Sequence, residues 1–256
     1  MSPEPAAFFI VCPLVFLAGF VDSVAGGGGL ISLPAYMLAG VPIHFALGTN
    51  KLSSTMGAVT ASFRYYRGGF VDLVLCVPSV AAALTGAALG TSLTLLVDER
   101  YLRRLLLIVL PLTAFYVLRR KELAPRAPPL SRSRTIVLAA LISFVIGGYD
   151  GFFGPGAGAF LILLYTALAR IDPRRASGNA KVVNLASNLG ALVLFLYHGR
   201  ALVPLGLAAG AFSVAGSYLG SGLVMRKGAG VLRVFILAVL ALLLVKTGYD
   251  LFAGSM

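Results

Sequence analysis

The chain repeats its own plan, and that repeat limits what it can fold into more than any other feature. Shifted by 128 residues, Gly19, Asp22, Gly26 and Gly28 fall on Gly147, Asp150, Gly154 and Gly156. Shifted by 130, Lys51 falls on Lys181, Gly86 and Gly90 on Gly216 and Gly220, and Arg103 on Arg233. The two-residue slip lies near residue 170, beside the polar turn Asp172-Pro173. Each half therefore sets a glycine-rich break and a lysine among apolar segments. In a membrane protein, interrupted hydrophobic segments at matching positions of two halves are the best sequence pointer to a transport site.

The surroundings of these features are those of a membrane protein. The chain is 59% hydrophobic and 12% charged, and tracts such as 5–21, 135–149 and 232–245 carry almost no charge. Crossing a bilayer takes about 20 apolar residues, and the tracts here are too many and too long for a soluble core. The expected class is an all-α polytopic membrane protein embedded in the lipid bilayer. It divides into a first transmembrane repeat at 1–120, a basic, proline-containing linker at 121–133 and a second repeat at 134–256. A net charge of +12 would by itself admit a nucleic-acid partner. The charges sit in short connections between apolar segments, so the positive-inside rule explains them and no nucleic acid is expected. Cys12 and Cys76 lie in apolar surroundings without partner spacing and read as small core hydrophobes. No basic residues precede the first apolar run, so a cleavable signal is not expected.

The helical segments fall at about 6–25, 29–40, 44–64, 73–97 and 101–118, then 134–152, 157–169, 176–197, 201–225 and 231–252. Five segments per half give two inverted repeats if each one crosses. With the N-terminus outside, the inner connections 64–72, 119–134, 170–175 and 226–233 hold fourteen Lys and Arg, against four in the outer ones. The equivalent turns 40–44 and 170–175 differ most sharply, with none and three. Inverted halves produce that asymmetry; parallel halves do not. Segments 29–40 and 157–169 are short for a full crossing and read as half-helices or re-entrant pieces, for eight to ten crossings in all.

Both breaks argue for non-helical backbone. The first reads Ala25-Gly26-Gly27-Gly28-Gly29, and the second Gly151-Phe-Phe-Gly154-Pro155-Gly156. A helical glycine costs about 0.5–1 kcal/mol relative to alanine, so four in a row end a helix. Irregular backbone survives at membrane depth only where protein buries it or it lines a cavity. The helix that follows would offer unpaired N–H groups and a positive dipole end to an anion. The alternative is close helix packing, the role expected of Gly86, Gly90, Gly216 and Gly220. No Gly-Lys-Ser/Thr follows GGGGL, so it is not a P-loop.

Lys51, after Thr49-Asn50, and Lys181, after Asn179-Ala180, precede long apolar stretches. A cation at bilayer depth costs about 2.5–3.5 kcal/mol on insertion scales, which points to work such as holding an anion. Snorkelling to the headgroups is the other reading. Asn184 and Asn188 lie one helical turn apart, placed to bond an oxyanion or to staple two helices. Asp22 and Asp150 are the only acids well inside the segments, candidates for proton coupling or for capping the broken backbone. His44 and His198 lack second ligands at metal spacing, so no metal site is expected.

Residues 19–69, reading GFVDSVAGGGGLISLPAYMLAGVPIHFALGTNKLSSTMGAVTASFRYYRGG, resemble the TauE/SafE family of sulfite exporters and sulfonate permeases. GGYDGFFGPGAGAFLILL and ASGNAKVVNLASNLGALVLFLYHG resemble the family's second signature. The resemblance covers nearly the whole chain. It implies a secondary transporter of small sulfur oxyanions (sulfite, sulfoacetate, thiosulfate or organosulfonates) without cofactor or ATP hydrolysis. It also implies motif roles for Gly26, Gly28, Asn50, Lys51, Gly154, Gly156, Lys181 and Asn184. The second motif departs from the first at Asn179-Ala180, so the half-sites need not contribute equally.

Together these readings give an alternating-access oxyanion transporter of the inner cell membrane. Its expected substrate site comprises Gly26 to Gly29, Asn50, Lys51, Gly154, Gly156, Lys181, Asn184 and Asn188, with Asp22 or Asp150 as the proton-coupling hypothesis. An anion channel with the same site is the first rival. A membrane-embedded enzyme is the second, and it lacks a visible nucleophile–base or metal constellation.

Overall fold

The computed structural model describes residues 4–102 and 130–227, with a few positions between them. The segment expected at 231–252 lies outside the described residues, as do most of 101–118 and of the linker 121–133. No strand occurs among the described residues, and the helices with described bounds are α1 Pro5–Ala25, α2 Gly29–Leu38, α3 Ile43–Arg67, α4 Leu73–Leu96, α5 Arg132–Phe152, α6 Ala157–Ala167, α7 Pro173–Tyr197 and α8 Val203–Lys227. Five of them, α1, α4, α5, α7 and α8, are long and apolar enough to cross a membrane. Helix α3 has the length, at 25 residues, but carries more polar side chains.

Local chemistry sets the boundaries. Helix α4 starts on Asp72, whose carboxylate accepts from the N–H groups of Val74 and Leu75. Helix α7 starts on Asp172, which accepts from Arg174 and Arg175 N–H, with Pro173 in the first turn, where its missing donor costs nothing. Helix α1 stops at Gly26, held left-handed at φ 74° with its N–H on the Asp22 carbonyl.

The helices pack in duplicate. Helix α1 lies against α8 as α5 lies against α4, and α3 lies against α8 as α7 lies against α4. The glycines explain how closely. A Cβ on Gly216 or Gly220 would strike the carbonyls of Phe16 or Phe20. A Cβ on Gly86 or Gly90 would strike those of Phe144 or Gly148, which are the equivalent positions. Close backbone approach of this kind is how membrane helices associate without a hydrophobic drive between them.

The same contacts fix direction. Residue numbers rise together along α1 with α8, α3 with α8, α4 with α5 and α4 with α7, so each of these pairs is parallel. The central pair is antiparallel: Gly48, near the start of α3, abuts Phe195 and Arg200 at the end of α7, and Gly178 abuts Phe70 beyond the end of α3. Helix α1 therefore runs opposite to its counterpart α5. Because α1 and α3 run the same way, α2 must bring the chain back between them, and its ten residues span only about 15 Å.

Apolar side chains such as Phe9, Leu96 and Tyr197 are more than four-fifths exposed on the outer faces. That suits lipid and would be a liability in water. Two buried clusters fill the interior, one around α1, α2 and the start of α3, the other among α4 to α7.

The glycine contacts predict opposite signs at neighbouring positions. Gly90→Ala should destabilise the detergent-solubilised protein by about 1–3 kcal/mol through overpacking against the Gly148 carbonyl. Gly148→Ala meets only ordinary contact at 3.6 Å and should be neutral or gain up to about 1 kcal/mol. Thermal unfolding of both variants beside wild type checks this.

Candidate functional site

The two glycine-rich breaks touch. Gly26 lies against the backbone of Gly158 and Ala159, and its carbonyl accepts the Ala159 N–H at 3.0 Å. Gly29 lies against Pro155. The second break is clasped by Tyr149, whose hydroxyl donates to the Pro155 carbonyl at 2.7 Å. Gly26 and Gly28 leave no room for a side chain, whereas Gly27 does. Their counterparts Gly154 and Gly156 are both left-handed, at φ 99° and 81°, and Gly27 is matched by Pro155.

Beside each break lies a charged pair, and each pair joins the two halves. Lys51 of α3 donates to Asp150 Oδ1 of α5 at 2.8 Å. Lys181 of α7 donates to Asp22 Oδ2 of α1 at 2.7 Å. Both lysine side chains are almost wholly buried, at 3% and 1% exposure. Neither ammonium therefore reaches a headgroup, and the snorkelling reading of the sequence does not hold in this fold. An isolated lysine at this depth would carry its full desolvation cost; a carboxylate in contact offsets it.

The breaks and the pairs form one constellation. The Gly28 N–H, at the N-cap of α2, donates to Asp22 Oδ1 at 3.3 Å. Gly154 sits so that a Cβ there would come within 3.3 Å of both Asp150 Oδ1 and Lys51 Nζ. The α2 terminus thus has an anion on it already, and it is the protein's own.

The remaining expected residues divide. Asn184 donates to Asp150 Oδ2 at 3.4 Å and so belongs to the constellation. Asn188 donates to the Asn184 carbonyl within its own helix, at 2.8 Å. Asn50 accepts from Ser54 at 3.4 Å, and among the described residues no hydrogen bond joins its side chain to the Lys51 pair. Gly156, left-handed at φ 81°, is the N-cap of α6.

Sequence reasoning missed three residues. Ser187 donates to Asp150 Oδ2 in a very short hydrogen bond, and a serine mid-helix gives no signal of that. Thr49 Oγ1 accepts the Leu202 N–H at 2.9 Å, and Asn179 Oδ1 accepts the Asp72 N–H at 2.8 Å. These equivalent latches bind the motif helix of each half to the chain entering α8 or α4. The Thr49/Asn179 difference between the two motifs is thus two ways of supplying one acceptor.

Removing one partner of the closed pair should be costly. Asp150→Asn leaves Lys51 buried without a counter-charge, an effect of about 3–5 kcal/mol when a buried pair is broken. Lys51→Met with Asp150→Asn should recover most of that loss. Thermal unfolding in detergent compares the single and double variants.

Comparison with known proteins places these residues in company. The family model described as Sulfite exporter TauE/SafE matches residues 11–247. A probable membrane transporter protein, ORF9, from Sinorhizobium is 36% identical over 91% of this chain and 88% of its own. One from Haemophilus influenzae is 35% identical over 92% of each chain. The probable membrane transporter protein YfcA of Escherichia coli K12 is 34% identical over 95% of this chain and 93% of its own. No solved structure matches.

Proposed function

We propose that this chain, which belongs to the sulfite exporter TauE/SafE family, carries a small sulfur oxyanion across the inner cell membrane by alternating access. Membership makes it a multi-pass membrane transporter. The finer reading rests on one observation: each buried lysine is paired with an aspartate from the other half, beside the point where the two glycine breaks meet.

That arrangement suits an anion carrier. The ion pairs are cross-half bonds, so any rocking of one half against the other must keep or exchange them. An oxyanion offers a lysine the same partner as a carboxylate does, with N–H groups of a helix terminus beside it. Lys181 with the Gly26–Gly29 break is the more open of the two places, since Asp22 is 23% exposed and Asp150 only 4%.

In the bilayer the halves would sit upside down relative to each other, since α3 and its counterpart α7 are antiparallel. By the count of Lys and Arg in the connections, the 64–72 turn would lie inside and the N-terminus outside. Proton coupling through an aspartate is part of the same proposal: a protonated carboxyl no longer holds its lysine. A channel would share the site and show flux without counterflow.

Two measurements test this. Cysteines placed at Arg67 and Arg200 should label from opposite faces of intact cells, Arg67→Cys from inside, with the native Cys12 and Cys76 buried. Labelling of both from one face would sink the inverted arrangement. In proteoliposomes preloaded with sulfite, sulfoacetate or thiosulfate, labelled-anion uptake should saturate and show counterflow. It should fall at least about tenfold in Lys181→Ala, the loss of a charge-assisted contact of about 1.5–3 kcal/mol. Uptake that is absent for every anion, or untouched by that change, overturns the carrier reading.

A further inference from the structure

The two ion pairs are equivalent in sequence and unequal in structure. Asp150 is surrounded: Lys51 donates to Oδ1, and Ser187 and Asn184 donate to Oδ2. Its side chain is 4% exposed and its lysine's 3%. Asp22 accepts from Lys181 and from the Gly28 N–H, the latter at a long 3.3 Å, and stays 23% exposed.

A carrier that inverts its halves would exchange an open and a closed site between its two states, so exposure alone could belong to the conformation. The donors cannot. The positions equivalent to Asn184 and Ser187 are Ser54 and Gly57. Gly57 has no side chain to donate, and the Ser54 hydroxyl is directed to Asn50 Oδ1. The hydroxyl nearest Gly57 is Ser213 of α8, so the serine that clamps Asp150 from α7 has no counterpart on α3. The difference is written in the sequence.

Asp22 also occupies an anion's place. Its two oxygens take the two contacts that an incoming oxyanion would need, a buried ammonium and an N–H at the start of α2. Resting on the carrier reading above, we infer that Asp22 is a tethered competitor of the transported anion. It leaves Lys181 when it is protonated and the anion takes its position, while Asp150 stays on Lys51 as a fixed anchor. One proton then enters with each anion bound, and no bond is made or broken beyond the O–H of the carboxyl. The other groups facing Asp22 do not mimic this. Lys181 comes from α7, and the Tyr65 hydroxyl from α3 is engaged with the Ser23 carbonyl. Helix α8 brings Ser217 and Ser221, which donate to the Gly19 and Ser217 carbonyls, and α2 and α6 bring no charged residue.

A site filled by its own carboxylate shows an apparent affinity reduced by the fraction of time it stands empty. The test uses the full chain in proteoliposomes and labelled isethionate or sulfoacetate, sulfonates whose sulfonate charge is constant through neutral pH. In wild type, half-saturation of counterflow should rise several-fold as pH is raised, because each anion bound takes up one proton. In Asp22→Asn it should be flat with pH and about tenfold lower at the alkaline end, and a pH gradient should no longer drive uptake. Glu99→Gln, which removes a carboxylate outside both ion pairs, should keep the wild-type pH slope. A flat wild-type profile overturns the inference even if Asp22→Asn fails to fold. So does an Asp22→Asn variant that keeps the slope, or a Glu99→Gln variant that loses it. In each of these cases saturable exchange persists and the carrier reading stands. Absence of exchange for every sulfonate in wild type overturns both.

Discussion

A buried ammonium needs a counter-charge, and here the counter-charge always comes from the other half of the chain. Lys51 takes Asp150 and Lys181 takes Asp22. Neither half can bury its own lysine, because its own aspartate is committed elsewhere. Much of the remaining arrangement follows. The halves must face one another closely enough for short ion pairs, which requires glycines where α1 meets α8 and α4 meets α5. The motif helices α3 and α7 must lie side by side, and they do so antiparallel.

The second constraint is backbone. At the breaks the chain gives up helical hydrogen bonds in a medium that offers no replacement. The fold supplies partners from close by: the Asp22 carboxylate for Gly28, the Gly26 carbonyl for Ala159, and the Tyr149 hydroxyl for the Pro155 carbonyl. Two of these partners are in the elements that carry charge. The irregular backbone and the ion pairs are therefore one unit, and moving either disturbs the other.

Much of the fold was legible because its signals are local. Apolar runs, glycine clusters and aspartates before helices mark where α1 to α8 begin and end, and the described boundaries fall within a few residues of the expected ones. The internal repeat exposed the matched lysines and aspartates. Which aspartate serves which lysine was not legible, because the partners lie 99 and 159 residues apart. Sequence symmetry is silent on whether equivalent groups pair within a half or across. Ser187 was invisible for a related reason: its value comes only from being near Asp150. The lysines read as free charges awaiting an anion; in the fold they are neutralised. The expected open N–H groups at α2 are likewise partly taken, by Asp22.

The exchange of aspartates has a consequence for how such a chain is assembled. A surface in which residue i of one copy meets residue j of another, and j meets i, is the isologous contact of a twofold dimer. The contacts between α1 and α8, α4 and α5, and the two ion pairs all have that form. A half-length chain with this plan would be incomplete alone and finished by a second copy inserted the other way up. Joining the copies releases them from being identical. Gly57 opposite Ser187 is one such difference: in a single fused chain the two matched positions need not stay alike.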